Sequence, residues 1–524
     1  MAAEIKKLSS DKFEFVNINE RLTDKKFDDK PIGYFKDAWI RFRKNKASVV
    51  AMIIILIICL FSIVAPLFTS HANNFMDAFY AKKSPRITWL RPYGIADGGS
   101  NRDFSEVGLA FAQGIGVAAL DWEGKGGISI KEGMESEYQP IIAIKNSFVK
   151  IDATKKEKTY YTARIDDYLN VGFMYKSIKQ SELASIQAFE EEYGIHILYP
   201  LIEDNEWNNG DDSDANNWFK MKKNAPVTVN ENGKAKTIEY SEDMILEENY
   251  MRDADGNPVY WVYTGGGTHE TAQLKIRVLY YNWYRYQNGG IEPNYAFGTD
   301  SQGYDLMLRL AGGLRLSLLL AVSVSVINFI IGAVYGAIEG YYGGAVDLVM
   351  ERITDILGGI PFIVIATLFQ IHLSAKLGAI PCLIFAYILN GWIGIAYRVR
   401  TQFYRFKHQE FVLAAKTLGA KDNRLIWKHV FPNSLGTIVT SAALIIPGVI
   451  FNESMLSYLG IVKLGSASST SLGTLLADAS SIWTNYPHLM LLPAIFISLL
   501  EISFNLFGNG LRDAFNPSLR NVED

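Results

Sequence analysis

Two glutamates stand inside segments of mostly apolar residues, where a charged side chain is chemically unusual. Glu453 follows the apolar run 434–452, and Glu501 follows the run 489–500. An ionised carboxylate at membrane depth is costly and normally faces protein or water rather than lipid. Asn452, Glu453 and Glu501 are therefore candidates for a polar translocation path. The alternative is structural, with Glu453 at the end of a span and Glu501 hydrogen-bonded to a neighbouring helix.

The sequence carries no familiar set of catalytic or metal-binding residues. It has no phosphate loop of the form G-x-x-x-x-G-K-[ST], no H-E-x-x-H pair and no paired-cysteine zinc spacing. The acidic stretch DNEWNNGDDSDANNW (204–218) lacks the ligand register of an EF-hand and is typical of a solvated loop. We therefore expect no catalytic residue, metal or cofactor in this chain.

A second candidate site is the stretch EFVLAAKTLGAKDNRLIWKHVFPN (410–433), whose pattern predicts a helical hairpin. A short helix over 409–418 would have Glu410 in its first turn, where the helix dipole favours a carboxylate. Gly419 suits the left-handed conformation that ends a helix. Because Ala414 and Ala415 have short side chains, one side of this helix would carry no bulky groups.

The second half of the hairpin is predicted to begin and end at defined residues. Asp422 is expected to cap a second helix, and Pro432 is expected to stop it. Such a hairpin would present a small rigid knob to the cytoplasm, shaped to enter a groove on another protein. The alternative is an amphipathic element lying on the lipid surface.

The hairpin lies between segments that are long and apolar enough to cross a membrane. The first of them, VVAMIIILIICLFSIVAPLF (49–68), has twenty residues without a charge, enough at 1.5 Å per residue to cross a core of about 30 Å. Within the second of them, Gly332, Gly336 and Gly340 lie four residues apart and predict a face for close helix packing. The six predicted spans cover residues 49–68, 316–338, 356–371, 377–397, 434–452 and 489–500.

Lys and Arg near the span ends predict the orientation. Four basic residues at 41–46 precede the first span, and eight at 398–428 lie between spans four and five. Both segments, and with them both termini, are expected to be cytoplasmic. The link between spans two and three fits this orientation least well, because it contains four acidic residues and one basic residue, Arg352.

Residues 72–295, between the first two spans, read as a separate domain. They hold 24 Lys and Arg against 33 Asp and Glu, a contrast with the basic remainder of the chain. Alternating runs such as IIAIKNSFVKID and KTYYTARIDDYL predict strands, and SELASIQAFEEEYG predicts a helix ending near Gly194. The fold prediction is an all-α polytopic membrane domain of six transmembrane helices with a large α+β extracytoplasmic insertion between helices 1 and 2.

The chain thus divides into five predicted parts. They are a cytoplasmic segment (1–47), the first span (48–71), the insertion (72–295), a core of five further spans (296–509) that includes a cytoplasmic coupling loop (398–433), and a cytoplasmic tail (510–524).

Several stretches resemble the C-type permease subunits of oligopeptide and dipeptide ABC importers (OppC/DppC). The resemblance covers about residues 31–68 and 295–520. The matching stretches are FGTDSQGYD (297–305), LRLSLLL (314–320), GYYGGAVDLVMERITDILGGIP (340–361), the hairpin 410–433, ESMLSYLG (453–460) and NLFGNGLRDAFNPSLR (505–520).

The resemblance implies a permease subunit in a bacterial plasma membrane. It implies pairing with a B-type permease, two cytoplasmic ATPase subunits that bind ATP and Mg, and an extracytoplasmic peptide-binding protein; no nucleic acid is involved. It also implies that Glu410, Ala414, Ala415 and Gly419 lie against the ATPase. Two departures are Tyr304 in place of the usual arginine and Phe431 in place of the usual leucine.

Other functions stay open at this level. An ion-coupled secondary transporter would use Glu453 or Glu501, although the sequence shows no inverted repeat of the kind such folds usually have. A membrane-anchored receptor would leave five of the six spans unexplained. Related permeases also carry nickel or other small solutes.

Overall fold

The computed structural model describes most of the chain. The described residues are 34–69, 71–72, 74–120, 135–151, 157–199, 228–231, 234–237, 250–252, 258–263, 273–466 and 469–515. The acidic stretch 204–218 lies outside them, as do most of the predicted N-terminal segment and the end of the predicted tail.

The helices of the described residues fall into a membrane set and a domain set. Those of the membrane set are α1 (Tyr34–Lys44), α2 (Lys46–Val64), α6 (Leu306–Tyr342), α7 (Gly344–Gly358), α8 (Phe362–Leu377), α9 (Ala379–Asn390), α10 (Ile393–Phe406), α11 (Glu410–Thr417), α12 (Asp422–Arg424), α13 (Phe431–Ala443), α14 (Ile445–Tyr458), α15 (Leu472–Ala479) and α16 (Pro487–Phe515). Those of the domain set are α3 (Glu106–Leu120), α4 (Gln180–Tyr193) and α5 (Tyr280–Gln287).

Five helical segments are long and apolar enough to cross a membrane, and a bent pair would make a sixth. The five are Lys46–Leu67, Leu306–Tyr342, Ala379–Phe406, Ile438–Tyr458 and Pro487–Phe515. The chain is therefore a multi-pass membrane protein. Several helices extend well beyond the predicted apolar runs, because polar residues continue them past the hydrocarbon core.

The third predicted span, 356–371, is wrong as a single helix. Helices α7 and α8 meet at an angle of 69° across the break between Gly358 and Phe362. Pro361 is the N-cap residue of α8 and cannot donate a backbone hydrogen bond, so α7 cannot continue straight through it. The structure has a broken span or re-entrant segment where the sequence predicted one straight helix.

Close contact between α6 and α10 organises the bundle. A Cβ atom added at Gly332 would lie 2.6 Å from the carbonyl oxygen of Trp392, and one at Gly340 would lie 2.8 Å from that of Arg400. At Gly336, between them, an added Cβ would collide with the backbone of Ala396. The three glycines thus let the two helix backbones touch, as small residues do in membrane helix pairs.

The region between α2 and α6 forms antiparallel sheets. Strands β2 (Ile141–Ile151) and β3 (Glu157–Asp166) pair with β1 (Gly99–Ser105) in the order β1-β3-β2. A second sheet has the order β4-β10-β9-β8, with β5 also paired to β10. Its strands are β4 (Phe173–Lys179), β5 (Leu198–Tyr199), β8 (Tyr250–Arg252), β9 (Pro258–Tyr263) and β10 (Gln273–Leu279).

Two short hairpins complete the strands of the described residues. They are formed by β6 (Thr228–Glu231) with β7 (Lys234–Thr237), and by β11 (Gly465–Ser466) with β12 (Ser469–Thr470). The strands predicted from IIAIKNSFVKID and KTYYTARIDDYL are present as β2 and β3. Helix α4 ends at Gly194 with φ +66°, the predicted position.

A buried polar network holds this α+β region together, and a hydrogen bond attaches it to the segment just before α6. The guanidinium of Arg86, fully buried, donates to both carboxylate oxygens of Asp166 at 3.2 Å and to the hydroxyl of Tyr281 at 2.8 Å. The backbone N–H of Lys83 donates to Thr299 Oγ1 at 2.8 Å. Because Thr299 lies seven residues before α6, the region is attached to the bundle by more than its two chain connections.

The glycine contact yields a stability prediction. Gly336→Ala should push α6 away from α10 and lower the unfolding midpoint, with an overpacking cost of about 1–3 kcal/mol. Gly448→Ala is the matched control, since an added Cβ there would meet no atom within 4 Å. Thermal unfolding in detergent micelles, followed by tryptophan fluorescence, measures both. Equal midpoints for the two variants would contradict close packing at Gly336.

Candidate functional site

The predicted hairpin, residues 410–433, is present. Its first helix, α11, ends in a hydrogen-bonded C-terminal turn. The N–H of Ala420 donates to the carbonyl of Ala415 and the N–H of Gly419 to that of Lys416, both at 3.0 Å. These two bonds with Gly419 at φ +83° form a Schellman motif. An added Cβ at Gly419 would meet no atom within 4 Å, so the backbone conformation, rather than space, requires glycine.

A small apolar core fixes the hairpin on the bundle. Val412 of α11 and the side chains of the following turn are buried against α10. The side chain of Ala415 is half-buried against the same core, so it packs inside the hairpin and is also partly exposed at its surface. The buried members from the hairpin and α10 are Ile395, Val399, Phe403, Val412, Leu425, Ile426 and Val430.

The predicted cap at Asp422 is wrong. Lys421 is the N-cap residue of α12, and Asp422 is the first residue of the helix without a side-chain capping bond. The Asp422 carboxylate instead accepts a hydrogen bond of 2.7 Å from the hydroxyl of Tyr341 at the end of α6. This contact joins the hairpin to α6, which local sequence spacing could not reveal.

Pro432 does not stop the second helix. A π-helical turn at Leu425–Val430 connects α12 to α13, and the N–H of Phe431 donates to the carbonyl of Ile426, five residues earlier. The wider turn accommodates a proline, which lacks the N–H and would crowd the carbonyl four residues before it in an α-helix. The helical path therefore runs from the hairpin directly into the next span.

The outward face of the hairpin is apolar at its centre. Leu418, at the tip, is 89% exposed. Glu410, Ala414 and Gly419 are exposed beside it. The other exposed large apolar side chains of the hairpin are Phe411, Leu413 and Trp427.

A single arginine joins three helices next to the hairpin. Arg400 of α10 forms two bidentate ion pairs with α7, to Asp347 at 2.6 and 2.8 Å and to Glu351 at 3.0 and 3.1 Å. Its Nε also lies 3.5 Å from Glu339 of α6, whose side chain is only 3% exposed. We call Glu339, Asp347, Glu351 and Arg400 the Arg400 cluster.

The Arg400 cluster explains why acidic residues outnumber basic ones in the link between predicted spans two and three. Three of the four acidic residues counted between spans two and three face Arg400, so their charge is partly neutralised within the protein. Part of the cluster is visible in the sequence, since Asp347 and Glu351 lie four residues apart on one face of a helix. Their partner, about fifty residues away, could not be identified from spacing.

A lysine adds a second link between α10 and α6. Lys407 Nζ, just after α10, donates to the carbonyl of Gly340 at 2.9 Å. Burial lowers the pKa of Lys407 from its ordinary value, while Asp347 opposes that shift. The end of α10 is therefore held to the end of α6 by both Arg400 and Lys407.

Glu453 is fully buried in the middle of α14 rather than at the end of a span. Its carboxylate accepts hydrogen bonds from Ser317 of α6 at 2.9 Å and from Ser457 at 3.0 Å. Ser471, the N-cap of α15, provides a third hydrogen bond. Three hydroxyl partners from three elements make Glu453 a polar junction within the bundle.

The other two path candidates are not brought into this junction. Asn452 is half-buried on α14, and Glu501 is half-buried in the interior of α16. The side-chain amide of Asn505 donates to the backbone carbonyl of Glu501 at 2.9 Å and to its carboxylate at 3.3 Å. Over the described residues, no group of three or more His, Cys, Asp or Glu side chains could hold a metal ion.

Two family models match the chain. Residues 329–521 match the binding-protein-dependent transport system inner membrane component, and residues 33–85 match the N-terminal TM domain of oligopeptide transport permease C. Residues 86–328, which include the sheets, lie between the two matches. Both matched segments contain spans of the bundle.

Named relatives agree with the family models. The oligopeptide transport system permease protein OppC of Bacillus subtilis is 41% identical over 224 residues, which are 43% of this chain and 72% of that protein. The dipeptide transport system permease protein DppC of the same organism is 40% identical over 235 residues, 45% of this chain and 72% of that protein. OppC of Escherichia coli K12 is 39% identical over 231 residues, 44% of this chain and 74% of the relative.

Among solved structures, the chain is similar to the MetNI methionine ABC transporter in an inward-facing conformation. The TM-score is 0.33 and the identity 16%, covering 40% of this chain and 98% of the other. An amino acid ABC transporter with histidines gives a TM-score of 0.29 at 14% identity, over 38% of this chain and 92% of the other.

The Arg400 cluster yields a second stability prediction. Arg400→Gln leaves three carboxylates facing one another and should cost on the order of 2 kcal/mol, the range for hydrogen bonds to charged groups. Arg352→Gln is the matched control, since Arg352 pairs with Asp355 at the surface, where the side chains are 69% and 55% exposed. Its loss should cost less than about 1 kcal/mol.

Thermal midpoints in detergent at low and high salt measure both variants. The midpoint of Arg400→Gln should fall well below that of Arg352→Gln. Equal shifts in the two variants would mean that the cluster contributes no more than a surface ion pair.

Proposed function

This chain belongs to the OppC/DppC-type permeases of binding-protein-dependent ABC transport, and from that premise we propose how it works in a peptide importer. It forms the translocation path with a B-type permease. Two cytoplasmic ATPase subunits bind ATP and Mg, and an extracytoplasmic peptide-binding protein delivers the substrate. The names of the relatives support peptides as the substrate.

The observation that carries the proposal is the hairpin, a rigid knob with an apolar tip. Its fold is fixed by the Schellman motif and a buried core, so little conformational entropy is lost when it docks. The exposed Leu418 and its apolar neighbours suit a groove on an ATPase subunit. In this mechanism ATP is hydrolysed in the partners, and this chain breaks no bond.

Movement of the hairpin reaches the bundle through α10. The hairpin core lies on α10, and Arg400 of the same helix grips α7 through Asp347 and Glu351. Helix α7 leads to the bend before Pro361, where two rigid helices meet at 69°. A tilt of α10 would therefore carry α7 along and change the bend, which is a hinge motion between packed elements.

The orientation is part of the proposal. Both termini and the hairpin lie in the cytoplasm, and residues 72–295 lie outside. The basic residues near the hairpin support this, including Lys416, Lys421, Arg424 and Lys428.

The ion-coupled alternative would have Glu453 exchange a proton or cation along the path. In the present conformation three hydroxyl groups surround its carboxylate, and the residue has no exposed surface. That arrangement favours a structural junction. Uptake that required ATP and was indifferent to a proton ionophore would separate the two mechanisms.

The orientation predicts a labelling pattern. In a background with Cys59 and Cys382 replaced by alanine, single cysteines replace Ser147 on β2 or Asn423 in the hairpin, both exposed. An impermeant maleimide on intact cells should label position 147 and not 423, and permeabilised cells should show both. If position 423 alone were labelled on intact cells, the hairpin would lie outside the cell and the proposed orientation would be wrong.

The hairpin predicts a coupling defect at Gly419. Gly419→Val forces a β-branched residue to positive φ, at a cost on the order of 1 kcal/mol or more, and should re-aim the knob. Gly419→Asn is the matched control, because asparagine tolerates the left-handed conformation. We expect the valine variant to insert and to pair with the B-type permease but to lose ATP-driven peptide uptake.

Reconstituted vesicles containing the B-type permease, the two ATPase subunits and the peptide-binding protein allow assembly, hydrolysis and uptake to be measured together. The asparagine variant should retain most of the uptake. Wild-type uptake by Gly419→Val would show that the hairpin is a surface element, and the proposed coupling would fail. Ala415→Asp should also abolish uptake, with some loss of stability because Ala415 supports the hairpin core.

A further inference from the structure

One arginine at the domain-side end of α6 has no protein partner. Within the described part of the chain, Arg315 makes no hydrogen bond or ion pair, and it is half-buried. It lines a cavity of about 430 Å³ with Phe75, Tyr304 and Leu319 among its other walls. An unpaired guanidinium close to the hydrocarbon core is costly, so an anion there would be bound favourably.

The other charged groups of this cavity already have partners. Arg309 donates to Asp300 at 3.0 Å and lies over the ring of Tyr304. Asp305 caps α6 by accepting from the N–H of Met307 at 2.8 Å, and its other oxygen lies 3.6 Å from His71. Arg315 is thus the charge of this cavity that is left for a ligand.

The helix is built to point Arg315 toward the membrane surface. Side chains on a helix tilt toward its N-terminus, which for α6 is the end beside the α+β region. Gly312, one turn earlier, leaves room: a Cβ there would lie 3.9 Å from Arg315 Nη2. The guanidinium therefore folds back over Gly312 toward the head-group layer, as arginines do near span ends.

An apolar stripe continues from the cavity down the same face of α6. Leu319, Val322, Val326 and Ile330 follow Arg315 at helical spacing and are 67%, 46%, 52% and 56% exposed. From Leu319 to Ile330 the stripe is about 17 Å long at 1.5 Å per residue. One leaflet of a hydrocarbon core of about 30 Å is about 15 Å thick, so the stripe matches one acyl chain.

We propose that this cavity binds one phospholipid, with its phosphate on Arg315 and an acyl chain along the stripe from Leu319 to Ile330. The head group lies over the bare surface at Gly312, beside Phe75 and Tyr304. An anionic head group is preferred, since Arg315 is the cation of this cavity that has no ion pair within the described residues, whereas Arg309 is paired with Asp300. This inference rests on the chain being a membrane protein and does not depend on the transported substrate.

The test is native mass spectrometry of the full chain with its partner permease, purified in detergent and titrated with phosphatidylglycerol. Arg315→Gln should weaken binding of the first lipid about tenfold or more. Arg512→Gln, an exposed arginine of α16, is the matched control and should leave it unchanged. Leu319→Gln should also weaken lipid binding, although it retains the guanidinium of Arg315. This variant tests the proposal if Arg315→Gln fails to insert into the membrane.

Competitors distinguish the sources of the anion. Phosphatidylcholine should bind more weakly than phosphatidylglycerol, and inorganic phosphate should not displace the lipid at equal concentration. Displacement by inorganic phosphate would make this a site for a free anion and overturn the lipid assignment. Unchanged lipid binding in both Arg315→Gln and Leu319→Gln would also overturn it.

Loss of the partner permease from Arg315→Gln, with lipid binding unaffected, would show instead that this face is the subunit interface. Peptide uptake is a separate readout. A failure of the importer mechanism would leave lipid retention by wild type, and its loss in the variant, unchanged.

Discussion

Direct contact between the backbones of α6 and α10 is the constraint on which the hairpin end of the bundle depends. Gly332, Gly336 and Gly340 leave no α6 side chain at three points of the contact, so the α6 backbone lies directly against α10 there. That distance places Glu339 beside Arg400 and Gly340 beside Lys407. The hairpin then has a single position, because its core lies on α10 and its Asp422 reaches Tyr341 of α6.

Three of the charged groups inside the protein join elements that are distant in sequence. Arg86 joins residues near 166 and 281, Arg400 joins three helices, and Glu453 collects hydroxyls from α6 and α15. A buried ion pair of this kind adds little net stability over an apolar contact, since desolvation offsets the attraction. Its value is that removing one partner leaves an uncompensated charge, which penalises alternative packings.

Local features of the fold were predictable from sequence, and contacts between distant segments were not. The left-handed turn at Gly419, the strands β2 and β3 and the apolar spans all depend on residues within a few positions of one another. The Arg400 cluster depends on partners about fifty residues apart, and Asp422 accepts a hydrogen bond from Tyr341, 81 residues away, rather than capping α12. A proline such as Pro432 predicts a helix stop, and the π-helical turn that accommodates it has no simple sequence signature.

The hydrogen bonds between distant residues of the α+β region and the segment before α6 affect the order in which the parts of the protein fold. The N–H of Lys83 and the hydroxyl of Thr299 are 216 residues apart, and Arg86 and Tyr281 are 195 apart, so these bonds close very long loops. Closing a loop costs entropy that rises slowly, by about 0.6 kcal/mol for each doubling of its length, but the search is slow when contacts are non-local. Helix α2 packs directly against α6 and α16, so these helices do not need the sheets in order to associate. We therefore expect the segment before α6 to reach its final contacts only after the α+β region has folded, later than the helix packing of the bundle.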